Sequence, residues 1–102
     1  MTTTTVQAPS IEERVARGAA LLDEKQPDWF QQIDLDKLKL DCPARCVLGH
    51  LYGSFDRGAF VLGIAFKEAA YGFDGFEEHS ELSALQAEWV RVITARREQV
   101  TR

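Results

Sequence analysis

Cysteine is scarce in this chain. Cys42 and Cys46 are the only two, too few for the disulfide framework of a small secreted domain, and a reducing cytosol keeps such thiols free. Long hydrophobic runs are missing as well. The longest, Ala59 to Phe66, falls far short of the roughly 20 apolar residues that cross a bilayer, so no membrane association is expected. The opening Met1-Thr2-Thr3-Thr4-Thr5-Val6 has neither a basic head nor an apolar core, which argues against a secretory signal. Positive charge is not in excess: the formal charge is −4, whereas general nucleic-acid affinity comes from clustered Lys and Arg against phosphates. Gly49, Gly53, Gly58 and Gly63 make no GxGxxG after a strand and no Gly-Lys-Ser/Thr ending, so no phosphate cradle is expected. These absences point to a cytoplasmic domain without a cofactor.

What is present suits one hydrophobic core. The chain has 102 residues, 45% hydrophobic and 27% charged, enough apolar surface to fold alone and too much for a disordered chain. The expected organisation is a flexible Thr-rich tail over residues 1–9, then a single helical domain over 10–102. The fold class is all-α, a compact bundle of about four to five helices set by periodicity. Ser10 and Glu13 form a capping-box pattern, and Ile11, Val15, Ala19 and Leu22 then repeat on one helical face to about Lys25. Pro27 ends that helix and opens a short helical turn through Trp29, Phe30 and Ile33. Asp34 to Leu40 alternates like a strand but has no partner strand, which favours a helical turn and an extended link.

Pro43 reads as the first residue of a central helix reaching Phe55, with Val47, Leu48, Leu51 and Tyr52 on a broad apolar face. Gly49 and Gly53 within it suggest close packing of a neighbour. Asp56-Arg57-Gly58 reads as a break, followed by a further buried helix carrying Phe60, Val61, Ile64, Ala65 and Ala69, with a short core strand at Ala59 to Phe66 as the alternative. Gly72 is placed to take the left-handed capping conformation, with Phe73 closing over the last turn. The final helix, about Ser80 to Gln99, carries Leu82, Leu85, Trp89, Val92 and Ile93 on one side, and Glu81, Glu88, Arg91 and Arg96 mostly on the other.

Few residues are placed for chemistry. Cys42, Cys46 and His50 recur at intervals of four, with His79 available from a later loop, and thiolates with imidazoles suit tetrahedral zinc. Cys-x3-Cys is not the usual knuckle spacing, however, and no second ligand pair follows. The simpler reading makes Cys46 a small buried hydrophobe, Cys42 a boundary residue and His50 solvent-facing. A Cys46–His50 nucleophile lacks any visible oxyanion stabiliser, and the acid pairs Asp34/Asp36 and Glu77/Glu78 read as caps and surface charge. No enzyme is expected. Arg91, Arg96 and Arg97 are the candidates for nucleic-acid contact, but from Ser80 onward four Arg face three Glu, a meagre phosphate footprint. The aromatic residues offer more. Trp29 and Phe30 are adjacent in a short element and cannot point the same way, so one is free for a partner, and Phe76 sits in an acidic loop. These three are the candidate contacts to a protein partner or to a second copy of the chain.

The runs Gly18-Ala19-Ala20-Leu21-Leu22-Asp23, Pro27-Asp28-Trp29-Phe30, Ile33-Asp34-Leu35-Asp36 and Cys46-Val47-Leu48-Gly49-His50-Leu51-Tyr52-Gly53 resemble a group of small uncharacterised proteins from mycobacteriophages and other actinobacterial phages. Tyr71-Gly72-Phe73-Asp74 and the Leu82-to-Trp89 segment are similar too, so the resemblance covers most of residues 15 to 95. It implies a phage-encoded protein of the host cytoplasm, and it brings no activity or catalytic residues. Small phage proteins outside the virion often act by binding a host component, so the expected function is binding to a host or phage protein. The alternatives are a small DNA-associated regulator, and a metal- or thiol-dependent protein using Cys42, Cys46 and His50.

Overall fold

Helix α1 (Ile11–Lys25) begins where the sequence places it. The Ser10 hydroxyl accepts the Glu13 N–H at 3.1 Å and the Glu13 carboxylate accepts the Ser10 N–H at 2.8 Å, so two amides left over by the first turn are served reciprocally. The computed structural model describes residues 9–76 and 81–100; the expected tail, apart from Pro9, lies outside them, as does His79. After α1 come a 3-10 turn (Trp29–Gln32), helices α2 (Val47–Tyr52) and α3 (Phe55–Leu62), a second 3-10 turn (Glu68–Tyr71) and helix α4 (Leu82–Val100). All regular structure among the described residues is helical, and the radius of gyration, 13.7 Å, is that of a compact domain of this length.

α4 and α1 pack against each other, the second 3-10 turn lies on α1, and α2 and α3 form a short pair joined to the rest through the first 3-10 turn. At the centre is Trp89. Its ring stacks on Phe73 at 5.1 Å and meets Trp29 edge-on at 5.7 Å, both favoured aromatic geometries. Its indole N–H donates to the Gly72 carbonyl at 2.6 Å, so the one polar atom of the ring is satisfied although the side chain is fully buried. Val15, Leu22, Val47, Leu48, Leu85 and Ile93 complete this core.

Several boundaries differ from the sequence reading. α2 starts at Val47, not Pro43, because Cys46 is its cap: the Cys46 sulfur accepts the Gly49 N–H at 3.3 Å. It ends at Gly53, whose φ of 96° no other residue adopts easily. Gly53 is therefore a helix stop, while Gly49 does serve close packing, since a Cβ there would lie 2.4 Å from the Pro43 carbonyl oxygen. Ser54 then caps α3 through the Arg57 N–H, which places Asp56-Arg57-Gly58 inside a helix instead of at a break. α3 stops at Leu62, and Ala69 belongs to a separate 3-10 turn. α3 also shows the other of its two apolar faces to the core: Gly58, Ala59 and Leu62 are buried, whereas Phe60 and Val61 are 79% and 54% exposed.

The link from Leu38 to Leu40 is extended and has no strand beside it. Gln86 of α4 takes that place, accepting the Leu40 N–H at 2.9 Å and donating to the Leu38 carbonyl at 2.6 Å. At the other side of the domain, Tyr71 to Phe73 approach α1 at backbone distance. A Cβ on Gly18 would lie 2.1 Å from the Tyr71 carbonyl oxygen and 3.0 Å from the Trp89 ring. Gly18→Ala is therefore expected to destabilise the domain by about 1–3 kcal/mol through overpacking, despite a helix-propensity gain of about 1 kcal/mol. Thermal melting checks it; a rise in Tm would contradict the packing described.

Candidate functional site

Arg14 stands in the buried stripe of α1 between Ile11 and Gly18, and it is 1% exposed. A guanidinium removed from water needs its donors satisfied. Nε donates to the Ala69 carbonyl at 2.9 Å, one terminal nitrogen to Glu81 Oε2 at 3.0 Å, and the other to Glu81 Oε1 and the Asp74 carbonyl, each at 3.0 Å. The Phe76 ring covers it at 4.3 Å, a cation–π distance. Glu81 Oε1 also accepts the Phe76 N–H at 2.9 Å. One buried cation thus ties α1 to the Glu68–Tyr71 turn, to the loop through Phe76 and to the entry of α4.

The two segments held by Arg14 form the walls of an open groove of about 540 Å³, within the range of ligand clefts. Ala69, Ala70 and Tyr71 come from the 3-10 turn and Phe76 from the loop, while Phe66, Lys67 and Arg17 complete the lining. Phe66 is 98% exposed and has φ of 69°, a left-handed conformation that costs a bulky residue roughly 1–2 kcal/mol. Its N–H donates to Glu68 Oε2 at 3.1 Å, which holds the turn in that form. Phe76 is 46% exposed. Together with Phe60 and Val61, four of the large apolar side chains left in solvent belong to the segment from α3 through Phe76.

Of the three aromatic residues proposed from sequence as contacts, only Phe76 is at the surface. Trp29 and Phe30 are both buried, which corrects the expectation that one is free. In a 3-10 turn enclosed by α4 and α2, two neighbouring side chains diverge and still meet core on each side. Trp29 packs edge-on against Trp89 and Phe30 edge-on against Trp29, and the Trp29 indole N–H donates to Asp23 at 2.8 Å. Phe60, read from sequence as part of a buried helix, is exposed, and so is Phe66.

The arginines proposed for nucleic acid are engaged within the chain. Arg91 pairs with Glu88. Arg96 is bidentate on Asp23, at 2.7 and 3.2 Å, and lies over Trp29. Arg97 donates to the carbonyls of Phe30 and Ile33, capping the first 3-10 turn. Cys46 is buried, its thiol pushed up by desolvation, and Cys42 is half-buried. His50 places Nδ1 3.1 Å from the Cys46 carbonyl oxygen, so it is half-buried and not simply solvent-facing. Among the described residues no group of three or more His, Cys, Asp or Glu could hold a metal ion, and no helix is long and apolar enough to cross a membrane. Comparison with protein families, with curated proteins and with solved structures returns no match.

The sequence reading placed Glu81 on the solvent side of α4 and gave Arg14 no role. A signal was present: Arg14 falls three residues after Ile11 and four before Gly18, in the same stripe as the core positions, where a charge requires a partner. The Arg14 guanidinium, and after it the Phe76 N–H, hold the Glu81 carboxyl below its ordinary value of 4.5. The stabilisation is therefore complete above that value and is lost as pH falls below it toward the lowered one. Asp23, lowered first by Arg96, acts in the same direction. Glu81→Gln is expected to destabilise the domain by about 2 kcal/mol at neutral pH, since Arg14 keeps its two carbonyl partners. It should also flatten, without abolishing, the fall of Tm between pH 5 and 3. Melts across that range check both, and an unchanged acid slope would contradict the pair's role.

Proposed function

We propose that the chain is a protein-binding module that uses the Phe66–Phe76 groove as its contact surface. In the phage setting implied by the sequence resemblance, its partner is a host or phage protein and its place of action the host cytoplasm. Phe66 carries the reading. A free domain would do better with glycine at that position: the left-handed backbone costs a phenylalanine roughly 1–2 kcal/mol, and an exposed ring forgoes the roughly 1.5–3 kcal/mol that burial supplies. The Glu68 carboxylate answers the Phe66 N–H and steadies the backbone, but nothing in the isolated fold buries the ring, which is almost wholly in solvent.

Preorganisation supports the same reading. The groove walls are fixed before any partner arrives by the buried Arg14 and its half-buried partner Glu81, so little conformational entropy remains to be lost on binding. Ala69 and Ala70 line the groove beside the exposed Phe66, leaving room for a partner side chain against the ring.

Phe66→Gly separates function from folding. The variant relieves backbone strain but adds about 0.5–1 kcal/mol of unfolded-state entropy, so its Tm is expected to stay within a few degrees of the parent or rise. Partner capture should be lost. The measurement is photo-crosslinking in cell extract with a benzophenone side chain at position 66, compared with one at Lys25, the last residue of α1. A discrete adduct at 66 that is absent at 25 is expected; equal, diffuse labelling at both positions would count against the reading, as would a large fall in Tm for Phe66→Gly.

A further inference from the structure

The groove is basic at its rim. Arg17 reaches it from α1 and Lys67 from the turn after α3, and both are exposed. The chain as a whole carries −4, and five of its other cations are ion-paired, Arg14 to Glu81, Lys37 to Asp34, Lys39 to Asp41, Arg91 to Glu88 and Arg96 to Asp23, while Lys25, Arg45 and Arg57 are exposed without such a pair among the described residues. Arg17 and Lys67 make no such pair among the described residues. The carboxylates nearest to them in sequence keep their charge but are directed to backbone amides and not to either cation. Glu68 accepts the Phe66 N–H, and Glu13, whose field Arg17 does feel, closes the Ser10 capping box. Glu77 and Glu78 follow Phe76 and lie outside the described residues.

Resting on the protein-binding reading above, we propose that the groove takes an acidic peptide segment of the partner protein. One apolar side chain seats beside Phe66 and Phe76, and the flanking Asp or Glu carboxylates meet Arg17 and Lys67. The volume accommodates a few side chains and no folded domain, so recognition is of a short segment with an apolar anchor. The two cations supply charge complementarity, which governs partner choice and the rate of encounter more than total affinity.

The test uses the full chain and three fluorescein-labelled peptide pools sharing a central Leu-x-x-Phe pattern. Their remaining positions are drawn from Asp, Glu and Ser; from Gln, Ala and Ser; or from Lys, Arg and Ser. Binding is read by fluorescence anisotropy and located by amide chemical-shift changes. The acidic pool is expected to bind about tenfold or more tightly than the neutral one, with shifts centred on Arg17, Phe66 to Tyr71 and Phe76, and to weaken as salt rises. The double substitution Arg17→Glu with Lys67→Glu should abolish that preference, and Phe66→Gly should weaken binding of every pool. Both sites are exposed, so the variants keep the fold, which melting confirms.

Equal binding of acidic and neutral pools, still sensitive to Phe66→Gly, overturns the acidic inference and leaves the protein-binding reading standing. No shift at the groove with any pool overturns both. Sedimentation with phosphatidylserine–phosphatidylcholine vesicles that depends on Phe66 and Lys67, with no peptide binding, also overturns both and assigns the surface to a membrane.

Discussion

A buried guanidinium leaves a protein little freedom, and Arg14 uses that constraint. Its donors face three directions and each must be answered, by Ala69, by Asp74 and by Glu81. Those three lie 55 to 67 residues away along the chain. Such a pair contributes little net stability over a hydrophobic replacement, because desolvation consumes most of the attraction. What it does supply here is position. Apolar contacts tolerate sliding, whereas a set of directed hydrogen bonds from one planar group admits a single arrangement of the segments that meet it. The groove is a by-product of that arrangement: the pieces Arg14 holds apart are its walls.

The second organising element is α4. Trp89 closes the aromatic core, Arg96 fastens the end of α1 through Asp23, Arg97 caps the Trp29–Gln32 turn and Gln86 holds the extended link. Amphipathicity gives no hint of this, since three polar side chains, Gln86, Arg96 and Arg97, fasten other elements alongside the buried stripe. The arginines that a charge count offers as phosphate contacts are used as internal fasteners, a role that needs neither an excess of positive charge nor a basic patch. The exposed aromatic side chains lie instead on and after α3, largely among short elements of low regularity.

How much of this could be read from the sequence follows from which signals are local. The Ser10–Glu13 box, the span of α1, the left-handed Gly72 and the main face of α4 each depend on neighbours within a few residues, and each was legible. The α2–α3 region was not. Phe55, Ala59 and Leu62 make one apolar face, Phe60 and Val61 another, and periodicity cannot choose between two apolar faces on so short a helix. The choice falls to the packing of Gly58 against Leu48, where a Cβ would come within 2.7 Å of the Leu48 side chain. Trp29 and Phe30 were misjudged for a related reason: exposure of a turn is decided by what folds over it, and Trp89 lies 60 residues further on. Arg14 was legible in principle, as a charge in an apolar stripe, but its partners were not. Phe66 carries no local mark at all, because nothing in Ala65-Phe66-Lys67 announces a left-handed backbone.

The Gln86 carboxamide does for Leu38 and Leu40 what an adjoining strand would do, offering one acceptor and one donor at the spacing of an extended backbone. A strand offers that pattern many times over; Gln86 offers it once. The Lys39 N–H on the Arg45 carbonyl and the burial of Leu38 and Leu40 hold the link beside it, and half a turn about the last torsion of Gln86 would set donor against donor and acceptor against acceptor.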